Sequence, residues 1–276
     1  MSLSINTNIA AIDAYNNLNN TSNQLDKTIS QLSSGLQIQT AADNSSGYVI
    51  AQDLQAQSNG LNVGISNGQN AISVLQIANG AMNQQVSILQ RMNQLATQAS
   101  NSGALSSNAL NAVNTEFTAL SSQLNQIAQS TTFGSSSNSL LATNAVLTFQ
   151  LGAYATTTNQ VTVQLAFTTA SSLGVSGLSL TTFAGAQSAL SSVQTAIDNV
   201  ASIQASLGAS QNQIQADIAN LTISQQNVQA AHSSLVDANM AQTVTTFTAQ
   251  QILMQAGTSM LGQAQQLPSM LLKLIP

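Results

Sequence analysis

The chain has no cysteine, no tryptophan, one histidine and only 2 prolines among 276 residues. Without cysteine there is no disulfide, no thiolate nucleophile and no cysteine-based zinc site. A lone histidine gives a catalytic relay or a multi-histidine metal centre nothing to build on. Charge is also scarce. Lys27, Arg91 and Lys273 are the only basic residues, and with 8 acidic ones they make up 4% of the chain, where about a quarter is usual. A net charge of −5 carried with three cations argues against a nucleic-acid groove. No apolar run approaches the roughly 18 residues of a membrane span, so no membrane insertion is expected. The opening "MSLSINTN" lacks the basic start and apolar segment of a cleavable secretory signal.

Serine, threonine, asparagine and glutamine supply the polar faces instead. A surface of that kind repels its own copies weakly and permits dense self-association. Few prolines favour long helices, and the apolar spacing agrees. Ile5, Ile9, Ile12, Tyr15, Leu18, Ser22, Leu25, Ile29, Leu32 and Leu36 recur at steps of three and four. Gly35 and the turn-rich "TAADNSSG" then break the pattern. A second helix is expected from about Gly47 to Ser100, anchored by Ile65, Ile72, Leu75, Met82, Val86, Leu89 and Leu95. Gly60, Gly64, Gly68 and Gly80 weaken its early turns. A loop over 101–109 precedes a third helix carrying Leu110, Val113, Phe117, Leu120, Leu124 and Ile127.

Between Thr131 and Thr182 the period changes to two. "VLTFQLGA" and "QVTVQLAF" flank "YATTTN" and read as a β-hairpin at about 145–168. Helical spacing resumes at Ala186 and runs to Leu235. A last helix from Val236 carries Met240, Val244, Phe247, Met254 and Leu261, with Pro268 expected to break it before "SMLLKLIP". The fold class is therefore mainly α: a long antiparallel helical coiled-coil rod with a small β-hairpin region, its N- and C-terminal helices paired. The eight carboxylates are scattered, and none cluster as in a calcium loop. Asp43 is the best helix-capping candidate among them, and Asp43 with Asn44 can supply the turn and a helix N-cap. No catalytic, cofactor or metal site is expected, and His232 reads as a seam residue.

The stretch "LSSGLQIQTAADNSSGYVIA" resembles the amino-terminal signature of bacterial flagellins, through Leu32, Ser33, Ser34, Gly35, Leu36, Ala41, Asp43, Gly47, Ile50 and Ala51. "INTNIAAIDAYNNL", the hairpin region, "LGVSGLSLTT" and "QQILMQAGTSMLGQAQQLPSMLLKLIP" are similar to the same family. The resemblance implies a minimal two-domain form without an outer-domain insertion. Residues 1–45 with 233–276 would form the coiled-coil core of an inner filament tube, and 46–232 the helical rod domain. Gly35, Asp43 and Gly47 would lie at the domain junction. Assembly would fall to Ile5, Ile9, Ile12, Leu18, Leu25, Ile29, Leu32, Val244, Phe247, Met254, Leu261, Leu271, Leu272 and Leu274.

It further implies a non-enzymatic, extracellular subunit of the flagellar filament, a helical homo-oligomer serving motility and exported without a cleavable signal peptide. Implied partners are an export chaperone, the filament cap and the hook-junction proteins. Arg91, Leu95 and Glu116 match positions through which some flagellins contact the Toll-like flagellin receptor. Filament packing uses the same surface and would account for those residues equally. His232, Ser234, Val236, Thr243 and Ala249 stand where the family usually carries charge, so packing and amide hydrogen bonds must replace salt bridges there. So few carboxylates predict tolerance of acid. The nearer alternative is a hook–filament junction protein of the same fold. The more distant one is a secreted coiled-coil adhesin, for which a short hairpin is a poor head.

Overall fold

Five α-helices, one hairpin and a single 3-10 turn (Thr157–Asn159) between its strands account for the regular structure of residues 7–101, 103–134 and 139–272, which are those described by the structure, a computed structural model. The helices are α1 (Ile9–Ser34), α2 (Ser45–Ala99), α3 (Ser107–Ser130), α4 (Phe183–Val236) and α5 (Met240–Leu272). Strands β1 (Ala145–Gln150) and β2 (Gln160–Leu165) pair antiparallel, with Ala145 opposite Leu165 and Gln150 opposite Gln160. The mainly α class, the hairpin and the pairing of the terminal helices all agree with the sequence reading.

Several helix boundaries differ from expectation. The last helix starts at Met240, not Val236, which instead ends α4. The third helix starts at Ser107, inside the expected loop, because the Ser106 hydroxyl oxygen accepts the Ala109 N–H at 3.3 Å and acts as its cap. The last helix does not stop at Pro268 but continues to Leu272. A proline inside a helix withholds one N–H from the carbonyl four residues earlier, here that of Ala264. That carbonyl accepts instead from Asn8 Nδ2 at 2.7 Å, so the missing bond is replaced and the helix goes on.

The chain forms two compact units, 1–56 with 227–276, and 57–226. In the first, α1 and α5 pack against each other. Asn8 meets Ala264, Thr28 meets Gln250 and Leu36 bridges Asp237, so the two helices run antiparallel.

In the second unit the core is built from Leu75, Met82, Leu89 and Met92 of α2, Phe117 and Leu124 of α3, and Val193, Val200, Leu207 and Ile214 of α4. Strand β2 alternates as its sequence does, with Val161, Val163 and Leu165 buried and Gln160, Thr162 and Gln164 exposed. The turn after β1 rests on a glycine stripe in α2. A Cβ on Gly60 would stand 2.6 Å from Ala153 Cβ. One on Gly64 would overlap the Leu151 carbonyl oxygen. One on Gly68 would stand 2.7 Å from Ile218 Cγ1. These glycines are seats for neighbouring atoms and not weak points of the helix.

The irregular segment 166–182 is held by side-chain amides. Asn125 Oδ1 accepts the Ala170 N–H and Asn114 Oδ1 the Leu180 N–H, each at 2.8 Å, while Gln85 Nε2 donates to the Thr168 carbonyl at 3.1 Å.

Candidate assembly surface

The first compact unit contains a polar joint and two apolar faces. At the joint, α1 ends on Gly35, whose φ of 74° lies in the left-handed region that favours glycine and whose N–H closes on the Gln31 carbonyl at 2.8 Å. Two chain breaks then meet. The Gln37 N–H donates to the Val236 carbonyl at 2.6 Å, and the Ala238 N–H to the Gly35 carbonyl at 2.8 Å. These bonds form an antiparallel bridge between Leu36 and Asp237. Asp237 also accepts from the Ser233 hydroxyl.

Asn44, and not Asp43, caps α2: its Oδ1 accepts the Gly47 N–H at 2.9 Å, an interaction worth about 1 kcal/mol. Asp43 closes the preceding turn. Its Oδ2 accepts the Thr40 N–H at 3.1 Å and the Gln39 N–H at 3.3 Å, and its Oδ1 lies 2.8 Å from Lys27 Nζ. The Lys27 ammonium first, and then those two N–H groups, hold the carboxyl at about 2, below an ordinary 3.8. Gly47 is buried, and a Cβ there would stand 2.7 Å from Ile38 Cδ1. The close approach it allows is to a side chain.

The assembly set implied by the resemblance divides in two. Leu18, Leu25, Leu32, Phe247, Met254 and Leu261 are half-buried along the α1–α5 seam. A buried polar contact interrupts that seam, with the Thr28 hydroxyl oxygen 2.8 Å from both Gln250 Oε1 and the Gln24 carbonyl, which share its one proton. Ile9, Ile12, Ile29 and Val244 face outward instead, along with Tyr15, Ile252, Leu253 and Met260; Ile9 is 62% exposed and Ile252 66%. Helix α1 therefore carries a second apolar ridge that its intrachain partner does not cover. A groove of about 520 Å³ between the helices is lined by Ala14, Leu18, Leu253, Gly257 and Met260 among others. Ile5 and Leu274, and the side chains of Leu271 and Leu272, lie outside the described residues.

Along α5 several threonine hydroxyls are turned onto their own helix. Thr243, Thr245 and Thr246 donate to the carbonyls four residues earlier at 2.9, 2.9 and 3.0 Å, and Thr248 to that of Thr245 at 2.9 Å. Sequence spacing did not reveal this, because threonine was counted only as polar.

Of the three residues matched to receptor contacts, Arg91 and Glu116 are exposed and paired, with Arg91 Nε and Nη2 2.9 and 2.7 Å from Glu116 Oε1. Leu95 is 1% exposed and belongs to the core. The apolar stripe of α2 claims it, so it is removed from that set. Among the described residues, no group of three or more His, Cys, Asp or Glu could hold a metal ion, and no helix is long and apolar enough to cross a membrane.

Comparison with known proteins gives a consistent result. The family model for the bacterial flagellin N-terminal helical region matches residues 5–145, and that for the bacterial flagellin C-terminal helical region matches 190–275. The chain is 34% identical over 303 residues to the flagellin of Bacillus subtilis, with 98% of this chain and 99% of that one covered. It is 34% identical over 273 residues to the flagellin of Halalkalibacterium halodurans, at the same two coverages. With polar flagellin A of Vibrio parahaemolyticus it is 29% identical over 378 residues, all of both chains. That relative thus carries inserted length that this chain lacks. The crystal structure of Bacillus cereus flagellin is 27% identical, covers 60% of this chain and 94% of that chain, and has a TM-score of 0.49.

Proposed function

This chain belongs to the bacterial flagellin family, a family of structural proteins and not of enzymes, and on that premise we propose that it builds the flagellar filament for motility by coupled folding and polymerisation of its terminal helices. Family membership implies homo-polymerisation into a filament outside the cell. The observation that carries the finer reading is the outward apolar ridge: Ile9, Ile12 and Ile29 on α1, with Val244, Ile252 and Met260 on α5. One chain can bury only the seam, and an isolated helix of this composition gains too little to stay ordered. Neighbouring copies bury the remainder at about 25 cal/mol per Å² of apolar area. Folding and binding are then one event.

In this reading 1–45 with 233–276 is the core domain of the filament and 46–232 the helical domain around it. Gly35, Asp43 and Gly47 lie at their junction. The carboxy-terminal helix meets the export chaperone during secretion, and the filament cap and hook-junction proteins meet the assembled ends. The receptor-contact reading narrows to Arg91 and Glu116, with the Toll-like flagellin receptor as partner.

Electron microscopy of dissociated, reseeded protein tests the assignment. Smooth helical filaments growing from added seeds support a filament subunit without outer domains. Seeds that fail to elongate, with protein left as monomers or short caps, point to a hook–filament junction protein.

A further inference from the structure

We infer that Asn8 and Pro268 are a matched pair that makes completion of the carboxy-terminal end of α5 conditional on docking of α1. Asn8 uses both ends of its amide. Oδ1 accepts the Ala11 N–H at 3.1 Å and caps α1, while Nδ2 donates to the Ala264 carbonyl at 2.7 Å. Ala264 is 8% exposed, so this carbonyl is poorly placed to be served by solvent. In a regular helix it would receive the N–H of residue 268. Residue 268 is proline and has no N–H to give.

The sequence thus opens an acceptor at one chain end and fills it from the other, 256 residues away. A proline alone would favour ending the helix. An asparagine alone would be an ordinary cap. Together they let α5 run past Pro268 to Leu272 only while α1 is seated. The same contact fixes register at the far end of the seam, beyond the Thr28–Gln250 pair and the Leu36–Asp237 bridge. The carboxy-terminal turns of α5 therefore report whether the amino-terminal helix is present and correctly aligned.

A double-mutant cycle on the full-length chain, polymerised from seeds so that the proposed coupled folding has taken place, tests this, read as hydrogen exchange of the backbone amides of 258–267 by mass spectrometry. Asn8→Ser keeps a capping oxygen of equal rank but is too short to deliver the amide donor. Pro268→Ala restores the missing backbone N–H. Asn8→Ser should speed exchange of 258–267 by about fivefold, the equivalent of one net hydrogen bond, and that of α1 by less than about twofold. In the Pro268→Ala background the same substitution should change 258–267 by less than about twofold. If Asn8→Ser also releases α1, Asn8→Asp, isosteric and an equally good cap without a donor, carries the same comparison. Equal acceleration in both backgrounds, no acceleration in either, or a segment unprotected in the natural polymer would each overturn the pairing, whereas failure to polymerise at all would count against the proposed function.

Discussion

Alanine at Gly64 and alanine at Gly80 are the same chemical change in the same helix, and the structure assigns them opposite signs. At Gly80 a Cβ would meet nothing within 4 Å, so only the intrinsic helix preference acts. Alanine should stabilise by about 0.8–1 kcal/mol there. At Gly64 the new carbon would overlap the Leu151 carbonyl oxygen and stand 2.6 Å from the Leu151 carbonyl carbon. Both obstacles are backbone, so no rotamer change relieves them. Overpacking of this kind costs about 1–3 kcal/mol. The helix gain of about 1 kcal/mol offsets part of that, and the net loss should be about 0–2 kcal/mol, which leaves Gly64→Ala about 1–3 kcal/mol less stable than Gly80→Ala. Because both substitutions remove a glycine from the unfolded chain, that contribution cancels between them. Urea unfolding followed by circular dichroism measures the difference, and hydrogen exchange of the β1 and β2 amides locates it. If Gly64→Ala stabilises as much as Gly80→Ala, the close approach of Leu151 is not a constraint and the glycine stripe has another cause.

Three further outcomes are expected. Asp43 has a folded pKa of about 2, below its ordinary 3.8, so its contribution is complete above about pH 4 and is lost as pH falls through about 2. Exchange of α1 amides should rise over that window, and Lys27→Met, which removes the largest cause, should move the acid midpoint upward; an unmoved midpoint would exclude Lys27 as that cause. Thr28→Val strands a buried Gln250 amide and should cost about 1–3 kcal/mol, most of it recovered by adding Gln250→Leu. Thermal melting checks this, and a single variant as stable as the double would remove the seam contact from the account. Arg91→Ala breaks an ion pair whose side chains are 52% and 45% exposed, so unfolding stability should change by less than about 1 kcal/mol; on the proposed receptor-contact reading, binding to the Toll-like flagellin receptor should fall. A larger stability loss would assign Arg91 to the fold instead.

The helices were legible because the residues that repeat at three and four are those that meet a neighbour, as Leu18, Leu25 and Leu32 do on α1. The hairpin was legible because Val161, Val163 and Leu165 alternate with polar residues and are buried in the same alternation. What failed did so for identifiable physical reasons. Gly60, Gly64 and Gly68 recur every fourth residue on one helical face, but propensity alone reads them as weakness; the strand end that occupies the groove is almost 90 residues away in sequence. Pro268 reads as a stop because its missing donor is local, while the compensating donor lies at the opposite chain end. Leu95 matched a surface motif four residues after Arg91, and it also completed the apolar stripe through Leu89. Burial decided for the stripe. Asn114 and Asn125 gave no signal, since an amide that holds a distant loop looks like any other polar residue on a helix.

The self-bonded hydroxyls of α5 carry a consequence for how this chain moves between wet and dry surroundings. A side chain that has already given its proton to its own helix owes no bond to an incoming surface. It therefore loses little when the water over it is expelled. Thr243, Thr245, Thr246 and Thr248 keep lone pairs that water can solvate while the chain is free. On contact the same segment gives up no donor bond to water, and the cost that remains is desolvation of the hydroxyl lone pairs. One set of residues then suits this helix both under water and against a neighbouring surface, with no titration, bound ligand or covalent modification needed to pass between the two.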